Sequence, residues 1–182
     1  MDFPLFKTFK IDISIVDFLN RKFEEYARSM PLYQADNRVY ISETGQFTSN
    51  LLQWDDEEYG RFVKDQLIQL VSTELRINQD SISLYYNHFF DYNQGGYVNP
   101  HEHSEFEDFV LIFYLNDVKC GGETCFYLNS HPDHRYRTSF KITPTKSLAV
   151  CFSSGLFHSV EWTDEPKRVF VVGVRVDLKN MR

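Results

Sequence analysis

Two short stretches carry the side chains best suited to chemistry: Pro100-His101-Glu102-His103, and His158 with Arg168 ten residues beyond it. Along an extended backbone residues i and i+2 point to the same side, so His101 and His103 present two imidazoles to one ion. Antiparallel pairing of a strand beginning at His158 would set a third opposite them. Three protein ligands on one face leave positions open, as an oxygen-activating Fe(II) centre requires. Imidazole suits zinc as well, so the spacing does not name the metal. The overlapping run His103-Ser104-Glu105 offers a second register, with Glu105 as reserve ligand. Arg168 opens the apolar run that ends at Arg175, and a guanidinium in an apolar interior pairs bidentately with a carboxylate. Each piece alone has a plainer reading: solvated or core histidines, and a surface ion pair of Arg168 with Asp164 or Glu165.

These side chains need a scaffold, and 182 residues provide room for one domain with a real core. Seventeen Phe and eleven Tyr argue for a folded, β-rich body and against disorder. From Ile13 to Met30 apolar residues recur every three or four positions, the mark of an amphipathic helix capped by Asp12 or Ser14. A second helix is expected from Asp55 to Arg76, with Asp55, Asp56, Glu57 and Glu58 at its positive end. After Asn78 the helical period stops. Short strand-like runs follow at Ser81–Tyr92, Phe109–Leu115, Thr124–Leu128, Ser139–Ile142, Ser147–Phe152, His158–Trp162 and Arg168–Leu178. The pattern reads as α+β, with helices on one face of a β-sandwich or barrel.

A formal net charge of −7 argues against nucleic acid and anionic membrane as partners, and no run approaches a membrane span. Cys120, Cys125 and Cys151 are odd in number and lack a CxxC pair, which reads as reduced thiols in a cytoplasmic protein. The start of the chain lacks the pattern of a signal peptide.

The ordered set of motifs from Tyr92 to Leu178 resembles the 2-oxoglutarate- and Fe(II)-dependent dioxygenases, specifically their prolyl-4-hydroxylase-like branch. It comprises Tyr92, Gly95-Gly96, Pro100-His101-Glu102-His103, Tyr114-Leu115-Asn116-Asp117, Gly121-Gly122-Glu123-Thr124-Cys125-Phe126, Pro144 to Ser147, His158 and Arg168. In that family a basic residue follows the distal histidine by nine or ten positions. The departure is His103, which stands where the family has a carboxylate, as in a phage- and bacterial-type His-x-His variant. The resemblance implies a double-stranded β-helix (jelly-roll, cupin-like) core over 79–182, with 1–78 as mainly helical support within a single domain, 1–182. It implies Fe(II) on His101, His103 and His158 as the catalytic set. It implies 2-oxoglutarate as co-substrate held by Arg168 with Tyr114 and Tyr92, Lys167 or Arg175 being the next candidate for the anchor, with O2 as oxidant and ascorbate as an accessory. The implied reaction is hydroxylation of a substrate C–H bond with release of succinate and CO2. The substrate is a protein, peptide or small molecule, a prolyl residue being one candidate. Tyr92 and Trp162 read first as core aromatics, and Gly121-Gly122 as a tight turn. The loops Asn129–Tyr136 and Pro31–Leu51 are where substrate contacts are expected.

A rival with the same topology stays open. Gly95, His101-x-His103 and Glu107 resemble the first motif of the cupins, and Ser154 to His158 faintly resembles the second. A cupin-type metalloenzyme, or a metal-binding jelly roll without 2-oxoglutarate, would hold its ion on His101, His103, Glu107 and His158.

Overall fold

The computed structural model describes residues 6–34, 45–128 and 140–177. The expected substrate loop Asn129–Tyr136 and residues 35–44 of the other lie outside the described residues. The first helix, α1 (Ile13–Ser29), starts where the Asp12 carboxylate accepts from the Ser14 N–H at 2.8 Å. Its stripe of Val16, Leu19, Phe23 and Tyr26 is buried. The second helical region is α2 (Glu57–Phe62) and α3 (Ile68–Leu75), joined through a π-helical turn at Val63–Leu67. It begins after Asp56, whose carboxylate caps the Tyr59 N–H at 2.7 Å. It ends where Arg76 turns left-handed, with φ 57°. No described helix is long and apolar enough to cross a membrane.

The strands form two antiparallel sheets. They are β1 (Phe6–Lys10), β2 (Tyr33–Gln34), β3 (Gly45–Phe47), β4 (Ile82–Tyr92), β5 (Val98–His101), β6 (Phe109–Tyr114), β7 (Thr124–Tyr127), β8 (Phe140–Ile142), β9 (Leu148–Ser153), β10 (Phe157–Val160) and β11 (Lys167–Val176). The larger sheet runs β1-β9-β6-β11-β4-β3-β2 and the smaller β5-β10-β7-β8. The N-terminal part is therefore not only helical support, since β1 and the β2–β3 pair extend both edges of the larger sheet.

That sheet is covered on both sides. One face, with Phe89, Leu111, Phe113, Phe170 and Val172, packs on the helices. The other, with Tyr92, Val110, Ile112, Tyr114, Phe152 and Val169, packs on the smaller sheet. This is a double-stranded β-helix with supporting helices, the expected α+β architecture. Because side chains alternate along a strand, the parity of a residue in β4, β6 or β11 decides whether it meets the helices or the space between the sheets.

Candidate metal centre

Strands β5 and β10 pair antiparallel with His101 opposite His158. His103 lies two residues past the end of β5, where its N–H donates to the Ser154 carbonyl at 2.8 Å and ties it to the turn before β10. The three rings converge, with centroids 4.3, 4.9 and 5.2 Å apart. One potential ligand atom from each residue lies within 4.8 Å of the others. The Nδ1 atoms are engaged behind the cluster. His101 Nδ1 is 2.8 Å from the Asn99 carbonyl, His158 Nδ1 3.0 Å from the Leu156 carbonyl, and His103 Nδ1 3.0 Å from Glu107 Oε1. A carbonyl only accepts, so Nδ1 of His101 and His158 carries the proton and Nε2 keeps the lone pair a metal needs. Burial favours the neutral ring, pushing His101 down to about 4 and His158 well below its ordinary value.

Arg168 is not at this site. Its side chain leaves β11 on the helix face, where Nε donates to Asp91 at 2.9 Å and Nη1 to Glu24 at 2.9 Å. Its guanidinium lies 3.8 Å from the centroid of the Phe23 ring. The parity of β11 gives the opposite face to its neighbour. Lys167 is 1% exposed, and its Nζ donates to the Gly122 carbonyl at 2.7 Å. That ammonium sits 5.5 and 5.6 Å from the centroids of Tyr92 and Tyr114. Desolvation pushes Lys167 down to about 7, against the pull of Cys125 and Glu123.

The Gly121-Gly122 turn presents that carbonyl. Both residues have positive φ, 74° and 69°, and a Cβ on Gly121 would lie 2.3 Å from the Trp162 carbonyl oxygen. The Tyr-Leu-Asn motif fixes the start of β11 from the other side. Asn116 donates to the Pro166 carbonyl at 2.8 Å and accepts from the Arg168 N–H at 2.7 Å.

No family model matches the sequence, and no curated protein matches it. Solved structures do match the fold. A Pseudomonas putida prolyl-4-hydroxylase aligns at 16% identity over 95% of this chain and 93% of its own, with TM-score 0.68. A Trichoplax adhaerens prolyl hydroxylase, in complex with a hypoxia inducible factor peptide fragment, aligns at 14% identity over 94% and 84%, with TM-score 0.72. HygX of Streptomyces hygroscopicus, solved with nickel and 2-oxoglutarate, aligns at 11% identity over 96% and 84%, with TM-score 0.68. The fold is that of the 2-oxoglutarate/Fe(II) oxygenases.

In this oxygenase fold the three histidines and Lys167 border one cavity of about 760 Å³ between the sheets, large enough for a small acid and part of a second molecule. Tyr92 lines it, and the Tyr114 hydroxyl donates to the Thr124 hydroxyl at 2.7 Å in its wall. Tyr86, His88 and Phe90 of β4 form an aromatic side, with Glu102 and Glu105 also lining it. Glu105, the reserve ligand, lines the cavity but is exposed and outside the convergent group. Glu107, the cupin-style ligand, is also outside that group and lies behind His103. Trp162 is no core residue: it is 60% exposed and stacks on Tyr97. Sequence reasoning ranked Arg168 first, with Lys167 or Arg175 next; of the three only Lys167, nine residues after His158, lines this cavity.

Proposed function

We propose that this chain is an iron- and 2-oxoglutarate-dependent oxygenase that hydroxylates a substrate C–H bond. In this reading His101, His103 and His158 hold Fe(II), and Lys167 holds the far carboxylate of 2-oxoglutarate. One observation carries the proposal: a three-imidazole cluster and a buried ammonium open into the same cavity of an oxygenase fold. The donor set fits the ion, because neutral imidazoles backed by acceptors at Nδ1 suit a first-row dication and leave positions for further ligands. When bound, iron with 2-oxoglutarate and O2 supplies the oxidising power for hydroxylation, with succinate and CO2 as co-products.

The chain supplies position and dryness. Lys167, held by Gly122 and flanked by Tyr92 and Tyr114, offers a fixed cation in a water-poor wall, where a charge-assisted pair is strong. The aromatic side of Tyr86, His88 and Phe90 is suited to seat the carbon that reacts. A prolyl residue in a peptide is the first substrate to try, supported by the prolyl hydroxylases among the structural matches, with small molecules next and ascorbate as accessory reductant.

Anaerobic addition of Fe(II) and 2-oxoglutarate is expected to give the visible charge-transfer band of a chelated complex, lost in His101→Ala. Bound Fe(II) with no such band would sink the co-substrate assignment and leave a metal-binding jelly roll.

A further inference from the structure

The metal reading leaves one buried acid unused. The Glu107 side chain is 0% exposed. Its Oε1 accepts from the Tyr86 hydroxyl at 2.8 Å and lies 3.0 Å from His103 Nδ1. Its Oε2 has no hydrogen-bond partner among the described residues. The surroundings are built for this contact. A Cβ on Gly173 would lie 2.6 Å from Tyr86 Cε1, so β11 has a glycine where the Tyr86 ring must pass to reach Glu107.

The three histidines therefore differ in what stands behind them. His101 and His158 are backed by neutral carbonyls of their own segments, and His103 by a carboxylate four residues on. His103 is also the position where the resembling family places a carboxylate. A half-satisfied buried carboxylate is unfavourable on its own, and a cation on the far side of the His103 ring offsets that penalty. We propose that Glu107 is a positioning residue that orients His103 toward the metal and supplies the site's negative charge through the ring. The acid a carboxylate ligand would provide is thereby moved one layer back. This inference rests on the metal site proposed above.

The test compares parent, Glu107→Gln, Tyr86→Phe and His101→Ala, measuring Co(II) or anaerobic Fe(II) affinity and the Tm of the metal-free protein. Glutamine keeps the shape and loses the charge. The expected result is metal affinity weakened about 10–100-fold in Glu107→Gln, with a smaller loss in Tyr86→Phe, the size typical of groups that orient metal-bound histidines. The metal-free Tm of Glu107→Gln should be no lower than the parent's, because the uncompensated charge has gone. Unchanged affinity with a lowered metal-free Tm would show Glu107 to be only a packing residue and overturn the proposal. Loss as complete as in His101→Ala would make Glu107 a ligand and overturn it equally. Should His101→Ala bind metal as tightly as the parent, it is the three-histidine site itself that fails.

Discussion

At the residue scale the proposed co-substrate anchor is decided by parity. Lys167 and Arg168 both fit an interval of nine or ten residues after His158, so spacing cannot choose between them. The usual guide, alternation of polar and apolar residues, is absent from β11 because both of its faces are covered. Bidentate chemistry favours the arginine, but the fold has spent that fork on Asp91 and Glu24. Lys167→Ala should therefore weaken 2-oxoglutarate binding by on the order of tenfold or more, the worth of a charge-assisted pair, and leave metal affinity intact. Arg168→Ala should keep both affinities and lower stability by up to about 1 kcal/mol, since its ion pairs are partly solvated. Calorimetric titration of the two variants separates them, and the reverse pattern would return the anchor to Arg168. The lysine also sets a pH dependence. Its value near 7 in the free protein rises when a carboxylate binds, because the partner stabilises the ammonium. Affinity should then be flat below about pH 7 and fall above it, with proton uptake on binding. Cys125 and Glu123 lie close enough to act on the lysine, and Glu123→Gln should move the break in that curve downward. A pH-independent affinity from 6 to 9 would show that no lysine proton is coupled to binding. HxH spacing made His101 and His103 legible as a candidate pair, and only the ordered set of motifs added His158, whereas the role proposed for Glu107 rests on the contact between its carboxylate and the back of His103.

At the element scale the two main helical regions and seven of the strands follow from hydrophobic period, and β1, β2, β3 and β5 do not. β5 contains Pro100, which argues against a strand interior but is tolerated on a sheet edge, and β5 is the edge of the smaller sheet. β1, β2 and β3 have five residues or fewer and owe their form to the neighbours they pair with. The Gly121-Gly122 turn, expected as a tight connection, also builds part of the site. In Gly122→Ala the new Cβ would lie 3.0 Å from Thr163 Oγ1 and 3.4 Å from Lys167 Cδ, at a backbone angle costly for alanine. That variant should lose about 1–2 kcal/mol of stability and bind 2-oxoglutarate more weakly. Its metal affinity should stay at the parent's value. Equal loss of metal and co-substrate would mean that the whole barrel had shifted rather than the turn.

At the scale of the whole molecule, a metal that binds only the folded chain stabilises it by mass action. At a hundredfold excess over Kd the gain is about 2.7 kcal/mol, or roughly 5–10 °C in Tm for a chain of this size, reversible by chelator. A thermal melt with and without Co(II) measures it, and no shift at saturation would contradict selective binding to the native state. The pairing of β5 gives that stabilisation a location. Among the described strands this edge strand pairs only with β10, and its register shifts between the pairs made by His158 and Val160. Of the strands that carry the proposed ligands it is the one whose backbone should open most readily. An ion shared by His101 and His158 would close a loop of 158 − 101 = 57 residues and join the edge to the interior of the smaller sheet, as a removable cross-link. Hydrogen exchange should show it: the amides of Val98, His101 and His103 should slow markedly on metal addition, while those of β6 and β11, already deep in the larger sheet, should not change. Iron loading would then be the last step of folding at this corner, and proteolysis between Tyr97 and Phe106 would report how much of the chain has completed it.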